Sequence, residues 1–362
     1  ARVVALRAGL PESKPAMTVH RNCASGLEAL TLAHAKMCAG QGEVFIVGGT
    51  ESMSQMPCYF STPSVGQFAA VAKFAAMSRA RDLKGRAMAA LRFRPADFEP
   101  VIGLKLGLTD PVCALNMGQT AEVLAREFGI DRDVQDAFAM RSHLRATQAT
   151  HLLNQQIAPV LDKTTVSTDN GIRADSSLDK LAKLKPLFDS LTGTVTAGNA
   201  SQVTDGAVAL LVASEEAAAA HGWKPLGRLV SYAATGCDPM RMGLGPVRAM
   251  EAALHRAGWK LGDADVVEIN EAFAAQVLAV MKCLADPASA RRAGLEAPLG
   301  ELDPSKVNPC GGAIALGHPV GATGARLVQT ALHQLHATDA RKAIVSLCIG
   351  GGQGMAACLE VM

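Results

Sequence analysis

Runs of apolar residues separated by glycine and polar turns dominate the chain, and they predict alternating helices and buried strands. Ala24 to Ala39 is rich in Ala, Leu and Met with few charges, and reads as a mostly buried helix ended by Gly40 and Gly42. Val44-Phe45-Ile46-Val47 then reads as a short buried strand closed by Gly48-Gly49. Helical patterns return at about 118–128, 131–156 and 246–258, with strands expected at 206–213, 226–234 and 266–269. An Ala-rich helix to about His221 follows the 206–213 strand, 157–197 is turn-rich, and 236–245 is read as a loop. Near the end, Gly317-His318-Pro319 leads into a helix through about His336, and Ala343 to Leu347 forms a strand ending at Cys348.

A polar residue, a helix, a buried strand and a glycine cluster thus occur twice, from Cys23 to Gly49 and from His318 to Gly352. A duplicated α/β unit accounts for this rhythm. Ligands in such folds bind beyond the carboxyl ends of the strands, so two halves could bring distant loops to one site.

Residues 54–112 break the pattern. Lys73, Arg79, Arg81, Lys84, Arg86, Arg92 and Arg94 stand against Asp82 alone until Asp97, with apolar residues between them. One or two helices with a basic, partly amphipathic surface are expected. The plain reading is a solvated face on a helical insertion. The sharper one is a dock for phosphates, a partner subunit or anionic lipid. Residues 284–303, rich in Ala, Pro, Arg and Gly, read as a surface insertion.

Composition narrows the function only a little. The net charge is +2 from 35 basic and 33 acidic side chains, which gives no reason to expect a nucleic-acid partner. The nine cysteines are scattered without a CxxC pair, which fits a reducing compartment rather than a disulfide scaffold. No secretory leader or spanning helix is expected. The compartment is read as cytoplasmic or matrix-like, with the cytoplasm preferred.

Four stretches carry chemistry. In Asn22-Cys23-Ala24-Ser25-Gly26, a thiol at a helix start feels unpaired N–H groups that favour thiolate, although from the stretch alone an inert buried thiol is the favoured reading. In Gly317-His318-Pro319-Val320-Gly321-Ala322-Thr323-Gly324, Pro suits a first helical turn, and Gly321 and Gly324 share a helical face that permits close approach. His318 would sit before that helix as a base, kept neutral there, or as a structural histidine. Cys348-Ile349-Gly350-Gly351-Gly352 follows a strand and offers backbone N–H groups to an oxyanion; it lacks the Lys and hydroxyl of a phosphate loop. Asn270-Glu271-Ala272-Phe273 also follows a strand. Asn270 could hold a water or cap a helix, and Glu271 could orient a neighbour.

These four stretches, in this order and with Gly118-Gln119-Thr120-Ala121-Glu122 and Gly198-Asn199-Ala200-Ser201, resemble the thiolase family from about Val19 to the end of the chain. The resemblance implies a layered α-β-α-β-α arrangement of two duplicated mixed-sheet domains with a helical loop-domain insertion. The N-terminal domain would span 1–52 and 113–213, the insertion 53–112, and the C-terminal domain 214–362. It implies Cys23 as the nucleophile, His318 as its base and Cys348 as the second acid/base. One oxyanion site would be made by His318 and a water on Asn270, the other by the backbone N–H groups of Cys23 and Gly350. Ser201 matches a position that contacts the pantetheine arm of coenzyme A. Coenzyme A is then a substrate, and neither a metal nor a redox cofactor is implied.

The implied activity is acyl transfer through an acyl-cysteine, read as thiolytic cleavage of 3-oxoacyl-CoA in fatty-acid β-oxidation and reversible as a Claisen condensation. Asn116, where some short-chain biosynthetic members carry His, and the basic 61–112 stretch lean that way. A homodimer or dimer of dimers is implied, with a fatty-acid oxidation complex and a membrane surface as further partners to test. Other readings are a biosynthetic acetyl-CoA acetyltransferase, a ketosynthase, a cysteine hydrolase and a non-catalytic acyl-CoA-binding subunit. Family members carry several tens of residues ahead of the nucleophile, so the N-terminal domain is expected to be incomplete in these 362 residues and the isolated chain unstable.

Overall fold

A computed structural model describes residues 1–60, 69–94, 100–161 and 165–362. The chain divides into a larger unit, Ala1–Ser52 with Asp110–Met362, and a smaller one, Met53–Thr109.

The larger unit is mixed α/β. Strands β1 (Val44–Ser52) and β2 (Asp205–Ala213) pair antiparallel, Val44 opposite Ala213. A four-stranded sheet holds β3 (Arg228–Gly236), β4 (Val266–Ile269), β5 (Lys342–Ile349) and β6 (Gln353–Glu360) in the order β3-β6-β5-β4. Only the β4–β5 pair is parallel. The main helices are α1 (Ser25–Cys38), α2 (Met117–Phe128), α3 (Arg132–Gln148), α4 (Gly245–Ala257), α5 (Ala274–Ala285) and α6 (Thr323–Ala337).

The period-two alternation of β5 and β6 sorts their side chains between two cores. Val345, Leu347, Ile349 and Met355 meet Leu27 of α1 and Leu327, Ala331 and Leu335 of α6. Ile344, Ala356 and Cys358 turn the other way, onto Val247, Met250 and Leu254 of α4 and Val280 of α5. Helices α1 and α6 therefore lie between the two sheets, since Val47, Leu210 and Val212 of β1 and β2 pack against the same core. Ile46 and Leu211 point away from it and are exposed.

The two halves of the duplicated rhythm meet at α1 and α6. A side chain at Gly26, second residue of α1, would stand 2.7 Å from the backbone nitrogen of Ala325, and one at Gly324, second residue of α6, 2.5 Å from that of Leu27. The contact is reciprocal, and it brings both helix starts to one place. Gly324→Ala is expected to destabilise the fold by about 1–3 kcal/mol through overpacking. Urea unfolding checks this, and an unchanged midpoint would contradict the close approach.

Several boundaries depart from the sequence reading. Strand β1 runs on through Gly48-Gly49 to Ser52. A Cβ at Gly49 would lie 1.8 Å from the Gly321 carbonyl oxygen, so these glycines serve close packing inside the strand rather than ending it. The helix after His318 starts only at Thr323, and Gly321 lies in the preceding turn, where its N–H donates to Glu51 Oε2 at 3.1 Å. Residues 284–303 are not a surface insertion: Pro287–Arg292 is helical, and Ala290, Leu295 and Leu302 are buried in the core around α4 and α5. The loop at 236–245 contains a 3-10 segment, Pro239–Leu244.

In the smaller unit, helices Ala69–Arg79 and Leu83–Ala90 accompany a strand pair, Cys58–Phe60 with Pro100–Ile102. Asp82 caps the second helix, its Oδ1 accepting from Gly85 N at 2.7 Å. Arg79, Arg81, Lys84, Arg86 and Arg92 are exposed. Asp97 lies outside the described residues. No helix among the described residues is long and apolar enough to cross a membrane.

Candidate active site

Cys23 sits on a 3-10 turn, Asn22–Ala24, immediately ahead of α1. The turn packs against β5 and the start of α6. Asn22 adopts a left-handed backbone, φ 43°, which Asn tolerates better than most residues. Its Nδ2 donates to the Gly350 carbonyl at 2.8 Å, tying the cysteine turn to the β5–β6 hairpin. The half-buried Cys23 thiol faces the N–H groups of Gly350 and of Cys23 itself. Burial nevertheless dominates and pushes the thiol up, the nearby Glu51 charge adding to it. The helix start and N–H groups temper that shift without overcoming it, so the cysteine rests protonated at neutral pH.

The Gly350–Gly352 turn owes its form to residue type. Gly351 and Gly352 hold φ of 93° and 77°, the region glycine enters without strain. A Cβ at Gly352 would lie 2.4 Å from the Cys237 carbonyl oxygen. Cys348, the last residue but one of β5, is buried among Ala121, Met242, Ala272 and Phe273. Burial pushes its thiol far up, and the neighbouring Cys23 and Cys237 thiols reinforce this.

His318 and Asn270 complete the group. Asn270 follows β4, and its backbone N–H donates to Ser346 O at 2.9 Å, fixing it beside β5. Its Nδ2 lies 3.4 Å from His318 Nε2, and its buried Oδ1 meets no donor among the described residues. On the other side of the ring, His318 Nδ1 lies 2.7 Å from Thr323 Oγ1. That hydroxyl donates to Pro319 O at 3.0 Å, so it accepts from His318 Nδ1–H and leaves the Nε2 lone pair for the site. Burial, helped by the charge of Arg326, lowers His318 to about 3.

This has a consequence for folding. The unfolded histidine takes a proton near pH 6.5, whereas the folded one refuses it to about 3. The penalty is absent above 6.5 and grows as pH falls through that window. His318→Gln is therefore expected to lose less stability than the unaltered chain between pH 7 and 5, as read by urea unfolding at each pH; equal losses would contradict it.

The structure thus brings Cys23, Cys348, Gly350, Asn270 and His318 together at the ends of β4 and β5 and the starts of α1 and α6. Ser201 stands beside them, its N–H donating to Ala272 O at 2.9 Å next to the Ala200–Phe273 bridge. Glu271 does not join the group. Its buried carboxylate accepts from Ser142, Asn308 Nδ2 and Ile314 N, and it braces α3 against the strand ends. Asn116 caps α2 in a capping box with Gln119. Sequence reasoning missed Thr323, whose place after Gly-His-Pro gave a spacing but no partner. It also missed Asp110, whose Oδ1 accepts from Val112 N and Cys113 N, in a turn with no motif to mark it. Among the described residues no three His, Cys, Asp or Glu side chains gather to hold a metal ion.

Comparison with known proteins returns one family. A model described as the thiolase N-terminal domain matches residues 1–216, and one described as the thiolase C-terminal domain matches residues 223–361. The acetyl-CoA acetyltransferase of Shinella zoogloeoides is 41% identical over 369 residues, covering 99% of this chain and 83% of that protein. The mitochondrial 3-ketoacyl-CoA thiolase of Mus musculus is 39% identical over 367 residues, covering 99% and 82%. Among solved structures, human mitochondrial 3-ketoacyl-CoA thiolase in complex with CoA superposes with a TM-score of 0.83 at 39% identity, over 100% of this chain and 82% of that one.

Proposed function

The chain belongs to the thiolase family of acyltransferases, and from that premise we propose that it cleaves 3-oxoacyl-CoA with free coenzyme A through an acyl group carried on Cys23. The observation that carries this reading is the gathering of two protonated thiols, Cys23 and Cys348, with one neutral imidazole and a row of backbone N–H groups.

Cys23 attacks the 3-keto carbon, and its proton passes to His318 Nε2. A thiol raised by burial and an imidazole lowered to about 3 do not exchange a proton at rest. Transfer is therefore coupled to formation of the S–C bond, when the thiol acidifies. Asn270, through a water on its Oδ1, and His318 stabilise one developing oxyanion; the N–H groups of Cys23 and Gly350 stabilise the other. The C2–C3 bond then breaks, its electron pair going to C2. Cys348 supplies the proton that turns this carbanion into acetyl-CoA. Protonated His318 returns a proton to the Cys348 thiolate; coenzyme A then enters with its pantetheine arm along Ser201, gives its thiol proton to the now neutral His318, and attacks the acyl-cysteine. The Cys23 sulfur leaves and recovers its proton from His318. Atoms and charge balance over the cycle: 3-oxoacyl-CoA and coenzyme A are consumed, and acetyl-CoA and an acyl-CoA two carbons shorter are released.

For direction, cleavage is favoured over condensation by Asn116 at the start of α2 and by the exposed basic helices of the smaller unit. The second reading is acetyl-CoA condensation, since several relatives are named acetyl-CoA acetyltransferase. We further propose that the protein works as a homodimer or dimer of dimers, in the cytoplasm or a matrix-like compartment. Side-by-side rates for long-chain 3-oxoacyl-CoA with coenzyme A and for acetyl-CoA alone test the direction. Faster thiolysis of the long substrate supports it; activity confined to short acyl groups moves the assignment to the biosynthetic reading.

A further inference from the structure

Three glycines in a row leave the Gly350–Gly352 turn with no side chains of its own to hold it, and glycine is the residue with the most backbone freedom. The turn is held from outside. At one end the Gly352 carbonyl accepts from Cys237 N at 2.7 Å. At the other the Gly350 carbonyl accepts from Asn22 Nδ2 at 2.8 Å. This second bond comes from the residue next to Cys23. Arg21 adds a third tie from the same segment. Its Nε and Nη2 grip the Glu28 carboxylate of α1 at 2.6 and 3.1 Å, and its Nη1 donates to Oε1 of Gln353, the first residue of β6, at 2.9 Å.

The backbone of Asn22 acts on the cysteine side. Its carbonyl accepts from Ser25 Oγ at 2.7 Å and from the Ser25 N–H. The peptide that joins Asn22 to Cys23 is planar and trans, so a carbonyl turned toward Ser25 points the Cys23 N–H the opposite way. The left-handed Asn22 backbone, φ 43°, turns the chain into this peptide. The N–H groups of Cys23 and Gly350 both face the Cys23 sulfur.

We propose that Asn22 is a positioning residue for the oxyanion site at Cys23: its side chain fixes Gly350 and its backbone aims the Cys23 N–H, so one residue sets the spacing of both donors. The proposal rests on the reading of Cys23 as the acyl carrier. Asparagine suits both duties. It tolerates a left-handed backbone better than most residues, and its amide supplies the N–H that the Gly350 carbonyl needs. The side chain is exposed, so its removal opens no cavity. Glycine at this position keeps the left-handed backbone and loses only the tie to Gly350.

The test compares two reactions of Cys23 in the unaltered full chain, in Asn22→Gly and in Asn22→Ala, each followed by acid quench and peptide mass spectrometry. Acetylation by acetyl-CoA develops an oxyanion on carbon. Methylthiolation by methyl methanethiosulfonate is an attack on sulfur and develops none. The ratio of the two rates cancels any change in the thiol itself. It should fall by about 10-fold or more in N22G, short of the roughly 10²–10³-fold for loss of a whole donor. In N22A, where a side chain also strains the left-handed backbone, it should fall at least as far. The carbonyl stretch of carbon-13-labelled acetyl-Cys23, read by difference infrared spectroscopy, should move in both variants toward that of a free thioester. A ratio or a carbonyl stretch that stays unchanged in a folded variant overturns the proposal. If one variant does not fold, the other decides it by the same two readouts. An unaltered chain that is methylthiolated at Cys23 but not acetylated would instead sink the thiolase reading of this site.

Discussion

Cys348→Ala is expected to slow carbon–carbon bond cleavage and formation by about 10²–10⁴-fold, the range for loss of a positioned proton donor, while leaving acylation of Cys23 by acetyl-CoA near its original rate. The split follows from where the thiol lies. Burial and its thiol neighbours hold Cys348 protonated, which suits it to deliver a proton to a strongly basic carbon. It takes no part in moving the Cys23 proton, which goes to His318. Two assays on one variant check this: exchange of labelled coenzyme A into acetyl-CoA, and thiolysis of 3-oxoacyl-CoA. Thiolysis that survives the change would favour a ketosynthase-like site, and exchange that falls equally would place Cys348 in the acylation step.

The second large effect belongs to the base. His318→Ala should slow both reactions by about 10²–10⁴-fold, because each begins with the Cys23 proton. The loss should narrow as pH rises. Burial lifts the Cys23 thiol above its ordinary value, so only alkaline solution ionises it without help. Single-turnover acylation of Cys23 followed from pH 7 upward is the measurement. A constant deficit across that range would mean that His318 acts chiefly on the oxyanion rather than on the thiol.

Much of this site was legible before any coordinates because its parts are punctuated. Cys23 opens an Ala- and Leu-rich helix, Asn270 closes a four-residue apolar strand, and Cys348 precedes three glycines. Each is a short motif at an element boundary, and the duplicated rhythm indicated that the boundaries could converge. Strand β6 was not legible. Gln353-Gly354-Met355-Ala356-Ala357-Cys358 has no β-branched residue, and its strand state is imposed by pairing with β3 and β5 on both edges. Its small residues admit α4, for a Cβ at Gly354 would lie 1.9 Å from the Gly245 carbonyl oxygen. The late start of α6 was hidden because Pro319 suits a first helical turn, whereas here its carbonyl accepts from Ala322 N and Thr323 N in a separate turn. Residues 284–303 set Leu284, Leu295, Leu299 and Leu302 among Pro, Gly and charged residues that mark no continuous element, yet Leu295 and Leu302 each fill a place in the core. Arg326 reads in sequence as one more solvated charge on an amphipathic helix. Only the packing of α6 against β4 makes it a buried one.

The central claim is that Cys23 carries the acyl group. Incubation of the protein with acetyl-CoA, acid quench and peptide mass spectrometry tests it most directly. The account predicts one acetyl group, added to the peptide that contains Cys23 and discharged by free coenzyme A. No adduct on the folded protein, or an adduct on another residue that turns over with coenzyme A, would contradict it.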